Sequence, residues 1–108
     1  MYSTAPIVVP EGDSIGLEMK WSELLTTDLE DPTMVTYQVF DKKTRAAVST
    51  VQTVAGPAAE MTITIPASHL PAGSIAPHAL RYLVVQITGY FSSNTHTEQV
   101  LIAVHKGY

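Results

Sequence analysis

The sequence predicts an all-β domain, a two-sheet sandwich of six or seven antiparallel strands, on three observations. Apolar and polar residues alternate with period two over several short stretches, the pattern of a strand with one buried and one wet face. Proline and glycine recur between those stretches, where turns are needed. No stretch carries a helical apolar repeat of useful length, which leaves sheet packing as the way to build a core.

In chain order, Ile7-Val8-Val9 closed by Pro10 reads as an edge strand, where a missing N–H is tolerated. Glu11-Gly12-Asp13 is turn chemistry. Ile15, Leu17, Met19 and Trp21 then alternate with Ser14, Gly16, Glu18 and Lys20. This is the clearest strand signal in the chain, and Trp21 is its largest core residue. Residues 22–33 read as a loop in which Ser22 could cap a helical turn carrying Leu24, Leu25 and Leu29. Asp31-Pro32 stops it.

Met34 to Phe40 is the next strand, with Val35, Tyr37 and Val39 inward, and Asp41 to Thr44 is a turn. Val48 to Val54 is an extended run rich in Ser, Thr and Gln, suited to an edge. Met61, Ile63 and Ile65 alternate with Glu60, Thr62 and Thr64 and stop at Pro66. Pro66 to Gly73 reads as a tight turn or single helical turn over Leu70. Leu80 to Thr88 is a long strand that Gly89 ends or bends. Thr97 to Val104 is the last strand, with Val100, Ile102 and Val104 inward. The expected core is Ile15, Leu17, Met19, Trp21, Val35, Tyr37, Val39, Met61, Ile63, Ile65, Val100 and Ile102.

At 108 residues, the chain has the size of one domain, which buries roughly 65% of its unfolded surface without a staple. Residues 1–9 are expected to be an N-terminal arm or edge strand, and 10–108 the single sandwich domain. Cysteine is absent, which excludes disulfides, thiolate metal sites and thiol nucleophiles. Met1 to Pro6 lacks a basic segment followed by an apolar run, so it does not read as a signal peptide. Every apolar run falls short of the roughly 20 residues of a membrane helix. The expectation is therefore cytoplasmic synthesis without membrane contact. The net charge of −4 is uneven: residues 1–31 carry −6 and residues 32–108 carry +2. No basic stripe suggests a nucleic-acid partner. The uneven charge suits contacts between unlike surfaces of copies, or simply solvated loops.

Two stretches resemble the immunoglobulin and fibronectin type III superfamily. One is the alternating strand ending in Trp21. The other is Ile63 to Gly73 followed by Arg81-Tyr82 and an apolar run to Ile87. The resemblance implies an immunoglobulin-like sandwich, with Tyr82 as a corner tyrosine bonded back to the upstream backbone. The chain as a whole resembles small immunoglobulin-like virion proteins of tailed bacteriophages. It shares a lone domain with a short N-terminal extension, a Gly12-Asp13-Ser14 turn into an alternating strand, and the strand Val35 to Asp41. That likeness implies a virion structural protein, a capsid decoration or tail component made in the host cytoplasm. Its partners would be other virion proteins and copies of itself.

Residue types for chemistry are sparse. No two of His69, His78, His96 and His105 are four apart, as a helical zinc pair requires. His96 and Glu98 could share a strand face but would need a third ligand. Asp28, Glu30 and Asp31 lack the spacing of a calcium loop. No serine lies in Gly-x-Ser-x-Gly, and no carboxylate pair suggests glycosidase chemistry. The expectation is a non-enzyme without catalytic residues, metal or cofactor.

Candidate partner-binding residues are the aromatics and apolars at termini and strand ends: Tyr2, Ile7, Tyr90, Phe91 and Tyr108. Residues 1–9 are expected to lie across a neighbouring chain with Tyr2 or Ile7 in the contact. Trp21, Tyr37 and Tyr82 read as core. The pair Tyr90-Phe91 could alternatively stack on a sugar, the mark of a carbohydrate-binding or adhesive module. Leu80 to Ile87 is apolar on both faces, so loop 74–79 or another subunit should cover its outer side.

Overall fold

The computed structural model describes residues 6–21, 31–92 and 94–107. Among these residues there are seven strands: β1 (Ile7–Pro10), β2 (Ile15–Lys20), β3 (Met34–Asp41), β4 (Gln52–Val54), β5 (Glu60–Ile65), β6 (Leu80–Tyr90) and β7 (Thr95–His105). They form a β-sandwich of unequal sheets, a five-stranded sheet in the order β1-β7-β6-β3-β4 and a two-stranded sheet of β2 and β5. The helical turn before Leu70 is a 3-10 turn, Ala67–His69. The loop expected over 22–30, with its cap at Ser22, lies outside the described residues.

The alternation sorts residues between faces as expected. Leu17 and Met19 lie beside Ile63 and Ile65 on the small sheet and, with Trp21, share one core with Val35, Tyr37, Val39, Ile102 and Val104 of the large one. Ile15, Met61 and Val100 are only partly buried and pack against its edge. β6 adds Leu83, Val85 and Ile87, all fully buried. Register is pinned from Ile15↔Ile65 to Lys20↔Glu60 in the small sheet. In the large sheet β6 pairs along its whole length with β7, from Leu80↔His105 to Tyr90↔Thr95.

Five expectations need correction. β1 pairs with β7 in parallel, Ile7↔Ile102 to Pro10↔His105, so the sandwich is not wholly antiparallel. Alternation records which face is buried, not which way a neighbour runs. Within β1, Val9 is buried in the domain's own core. Residues 7–9 are thus an edge strand of this sandwich, not an arm across a neighbour; residues 1–5 lie outside the described part.

The run 48–54 is strand only at Gln52–Val54. Before it, the Ser49 side chain accepts the Val39 N–H (3.0 Å) and the Ser49 carbonyl accepts from the Gln38 amide (3.1 Å). The Val48 N–H still bonds to the Val39 carbonyl at 2.8 Å, and at Ser49 side-chain bonds take the place of the ladder, as serine allows.

β6 runs through Gly89. A Cβ at that position would stand 3.0 Å from Trp21 Cη2 and Cζ2 and 3.1 Å from Phe91 Cε2. Glycine is needed there for the ring that presses on it, not for a bend.

Finally, Tyr82 is 42% exposed on the outer face and ties no corner. The tyrosine that meets the 3-10 turn is Tyr37, whose hydroxyl lies 2.8 Å from His69 Nδ1. Burial raises the pKa of that hydroxyl above its ordinary value, because the phenolate would lose water.

Candidate functional site

Strand pairing fixes what the outer face of the large sheet displays. β6 turns Leu80, Tyr82, Val84, Gln86, Thr88 and Tyr90 outward, and β7 and β3 supply neighbours in register. One cross-strand row is Val8, Ala103 and Tyr82; the next is Leu101, Val84 and Phe40. Then come Gln99, Gln86 and Gln38, and then Thr97, Thr88 and Thr36. The face thus grades from apolar at the β1 end to polar at the other. Leu101 and Ala103 are buried yet stand outside the core cluster, so this face has an apolar layer of its own. Val8 (60%), Leu80 (39%) and Tyr82 remain open to solvent. Loop 74–79 therefore leaves Leu80 and Tyr82 uncovered.

A concavity of about 810 Å³ lies on this face, with Phe40, Tyr82, Val84, Gln86 and Gln99 against it. Lys42, Lys43 and Arg45 stand at its rim. Among the described residues these three cations have no ion-pair partner. The side-chain amides of Gln86 and Gln99 likewise make no hydrogen bond to a described residue.

The turn carrying the cations is held in one shape by Asp41. Its Oδ1 accepts the N–H groups of Lys43 (2.8 Å) and Thr44 (2.9 Å). Its Oδ2 accepts from Arg81 Nε at 3.0 Å. Arg81 in turn donates to the Pro71 carbonyl. The Thr44 N–H above all, with the Arg81 guanidinium and the Lys43 N–H, holds the Asp41 carboxyl below the usual carboxylate range, outweighing its desolvation. Arg45 closes the turn at φ 63°, a left-handed conformation that costs a non-glycine residue energy. Its N–H bonds to the Asp41 carbonyl at 2.7 Å. Among the described residues of the lining, the only carboxylate is thus already engaged, and the charges without an ion-pair partner are all positive.

The residues expected to bind partners fall elsewhere. Tyr2 and Tyr108 lie outside the described residues. Ile7 is 41% exposed at the β1 edge. Tyr90 is half-buried at the far end of the outer face from Tyr82. Phe91 is a correction: it is 7% exposed and packs edge-on against Trp21, with centroids 5.7 Å apart. Tyr90-Phe91 is therefore no exposed pair, because the residue after a strand's end can still turn into the core.

His96 and Glu98 do share a face, 3.6 Å apart. No group of three or more metal-ligating side chains gathers among the described residues. Of the acidic group, Asp31 accepts the Ala59 N–H at 2.9 Å, a structural use; Asp28 and Glu30 lie outside the described part. Sequence reasoning missed Phe40, Tyr82, Val84, Gln86, Gln99 and the three cations as a group. The two-faced apolar character of Leu80 to Ile87 was the signal that pointed to them. Comparison with protein-family models, curated proteins and solved structures finds no match to this chain.

Proposed function

We propose that the chain is a non-enzymatic structural module that works by protein–protein contact through the outer face of its five-stranded sheet. The observation that carries this reading is the apolar strip of Val8, Leu80, Tyr82, Val84 and Phe40 on that face, over the buried Leu101 and Ala103. Exposed apolar area of this kind marks interaction surfaces, and covering it supplies the drive for association. The narrower form of the proposal is a capsid decoration or tail component of a phage-like virion, held among other virion proteins and copies of itself. It rests on the resemblance to small phage virion proteins and suits a module whose weak single contacts add up over many copies.

A second reading, a carbohydrate-binding or adhesive module, is favoured by one feature: the exposed Tyr82 ring beside the Gln86 and Gln99 amides. A sugar could stack on the ring while the amides bond its hydroxyls. The aliphatic Val8, Leu80 and Val84 offer hydroxyls nothing, which is why the protein-docking reading ranks first.

The test is the native mass of the complex with which the protein purifies from cells that make it. Wild type should travel in an assembly much heavier than the 11.7 kDa chain. Val84→Asp and Tyr82→Asp should release it as a folded monomer. A wild-type protein that stays monomeric at high concentration and binds a glycan array through Tyr82 would replace this reading with the second.

A further inference from the structure

We infer that the concavity beside the Asp41 turn receives an extended acidic segment of a partner protein. This rests on the protein-docking reading and names the chemistry of what docks. Three features converge within one lining. Lys42, Lys43 and Arg45 lie in the one turn that Asp41 closes and lack ion-pair partners among the described residues. Phe40, Tyr82 and Val84 give an apolar patch in adjoining rows. Gln86 and Gln99 place two uncommitted amides side by side, paired across β6 and β7.

An extended chain alternates its side chains and offers backbone groups between them. Laid across this face, it can set apolar side chains on Tyr82 and Val84 and carboxylates toward the three cations. Its backbone C=O and N–H groups then meet the glutamine amides, each of which is both donor and acceptor. A basic segment would meet these three cations, which have no ion-pair partner among the described residues, and be repelled. The turn is organised before the partner arrives. Asp41 fixes it through two backbone N–H groups and Arg81, so little ordering cost remains for binding.

The experiment uses fluorescence anisotropy on the full chain. The probe is a labelled peptide of roughly eight residues alternating Glu and Val, long enough to cross the face at ~3.4 Å per residue. A Lys-Val peptide of equal length and a labelled oligogalacturonate are the comparison probes. The Glu-Val peptide should bind saturably. Its affinity should fall about tenfold or more in Lys42→Glu/Lys43→Glu/Arg45→Glu, and also with rising salt. The thermal midpoint of the triple variant should stay close to wild type, since all three side chains are exposed.

Equal binding of the Lys-Val peptide, or undiminished binding by the triple variant, overturns the inference. So does binding of oligogalacturonate in place of the peptide, which would make the occupant an acidic glycan. The native assembly separates the two levels of argument. If Val84→Asp releases the protein while the triple variant keeps full assembly mass, the face docks but its partner is not acidic there. If neither variant changes the mass, the docking reading fails as well.

Discussion

Gly89→Ala should destabilise the domain through a single added methyl. Trp21 is fully buried, and its Cη2 and Cζ2 lie 3.0 Å from where the new Cβ would sit; Phe91 Cε2 lies 3.1 Å away. Ordinary carbon contacts are about 3.5–4.0 Å, so both rings must retreat by several tenths of an ångström. They have little room, because Trp21 is held edge-on between Phe91 and His96, with centroids 5.7 and 6.1 Å away. Overpacking of this kind costs about 1–3 kcal/mol. Replacing glycine inside a strand gives back about 0.5–1 kcal/mol of backbone entropy.

A net loss centred on about 1 kcal/mol, and at most about 2.5 kcal/mol, follows; about 1 kcal/mol at this chain length lowers the melting midpoint by roughly 4–8 °C. Circular dichroism melts of wild type, Gly89→Ala, Trp21→Phe and the double variant measure both the loss and its cause. The smaller Phe ring leaves space for the methyl, so the double variant should be more stable than the two single losses predict when added. Strict additivity, or a Gly89→Ala protein as stable as wild type, would refute the close approach of Trp21 to the β6 backbone.

Three further outcomes follow from the same geometry. Asp41→Asn keeps the shape but loses the charge on bonds to Lys43, Thr44 and Arg81, which should cost roughly 1–2 kcal/mol at neutral pH. Because the folded-state pKa of Asp41 is depressed, its contribution is present above the unfolded value of about 3.9 and is lost as pH falls through the lower folded one. The melting-point gap between wild type and Asp41→Asn should therefore close at acid pH, and a gap that widens there would reverse the sign of the argument. Tyr37→Phe removes the 2.8 Å bond to His69 and should cost about 1 kcal/mol in urea titration, with no further loss when His69→Ala is added if that bond is the whole effect. Val9→Ala should cost about 1–3 kcal/mol in the isolated chain, since Val9 packs in the core; an unchanged midpoint would detach β1 from the sandwich.

Period-two alternation made β2 and β5 legible, because each has one dry face and one wet one, and β3 legible because its inward Val35, Tyr37 and Val39 alternate with Thr36 and Gln38. Ile15 to Trp21 and Glu60 to Ile65 could each be read as a strand with its inward residues named, but their pairing with each other was not written in the pattern. β6 was harder to read. Its inward Leu83, Val85 and Ile87 and outward Leu80, Tyr82 and Val84 are all apolar, so the pattern marked a strand without saying which face was core. That ambiguity is the candidate site itself: a second apolar layer reads as noise in an alternation and as a surface in the fold. Tyr82 was mistaken for core because its residue type outweighed its register. Phe91 was mistaken for surface because a strand end gives no hint of the ring it meets. The cations at 42, 43 and 45 looked like an ordinary polar turn. Only the β3–β6 pairing, which sets Phe40 beside Val84, brings them next to Tyr82 and the two glutamines.

Hydroxyl-radical footprinting of the protein in its native assembly, against the isolated recombinant chain, tests the central claim most directly. Tyr82 is open in the isolated domain and Trp21 is closed. If the outer face of the five-stranded sheet is the docking surface, oxidation of Tyr82 should fall several-fold on assembly while Trp21 stays unreactive in both states. Tyr82 labelled to the same extent in the intact assembly and in the free chain would contradict the account.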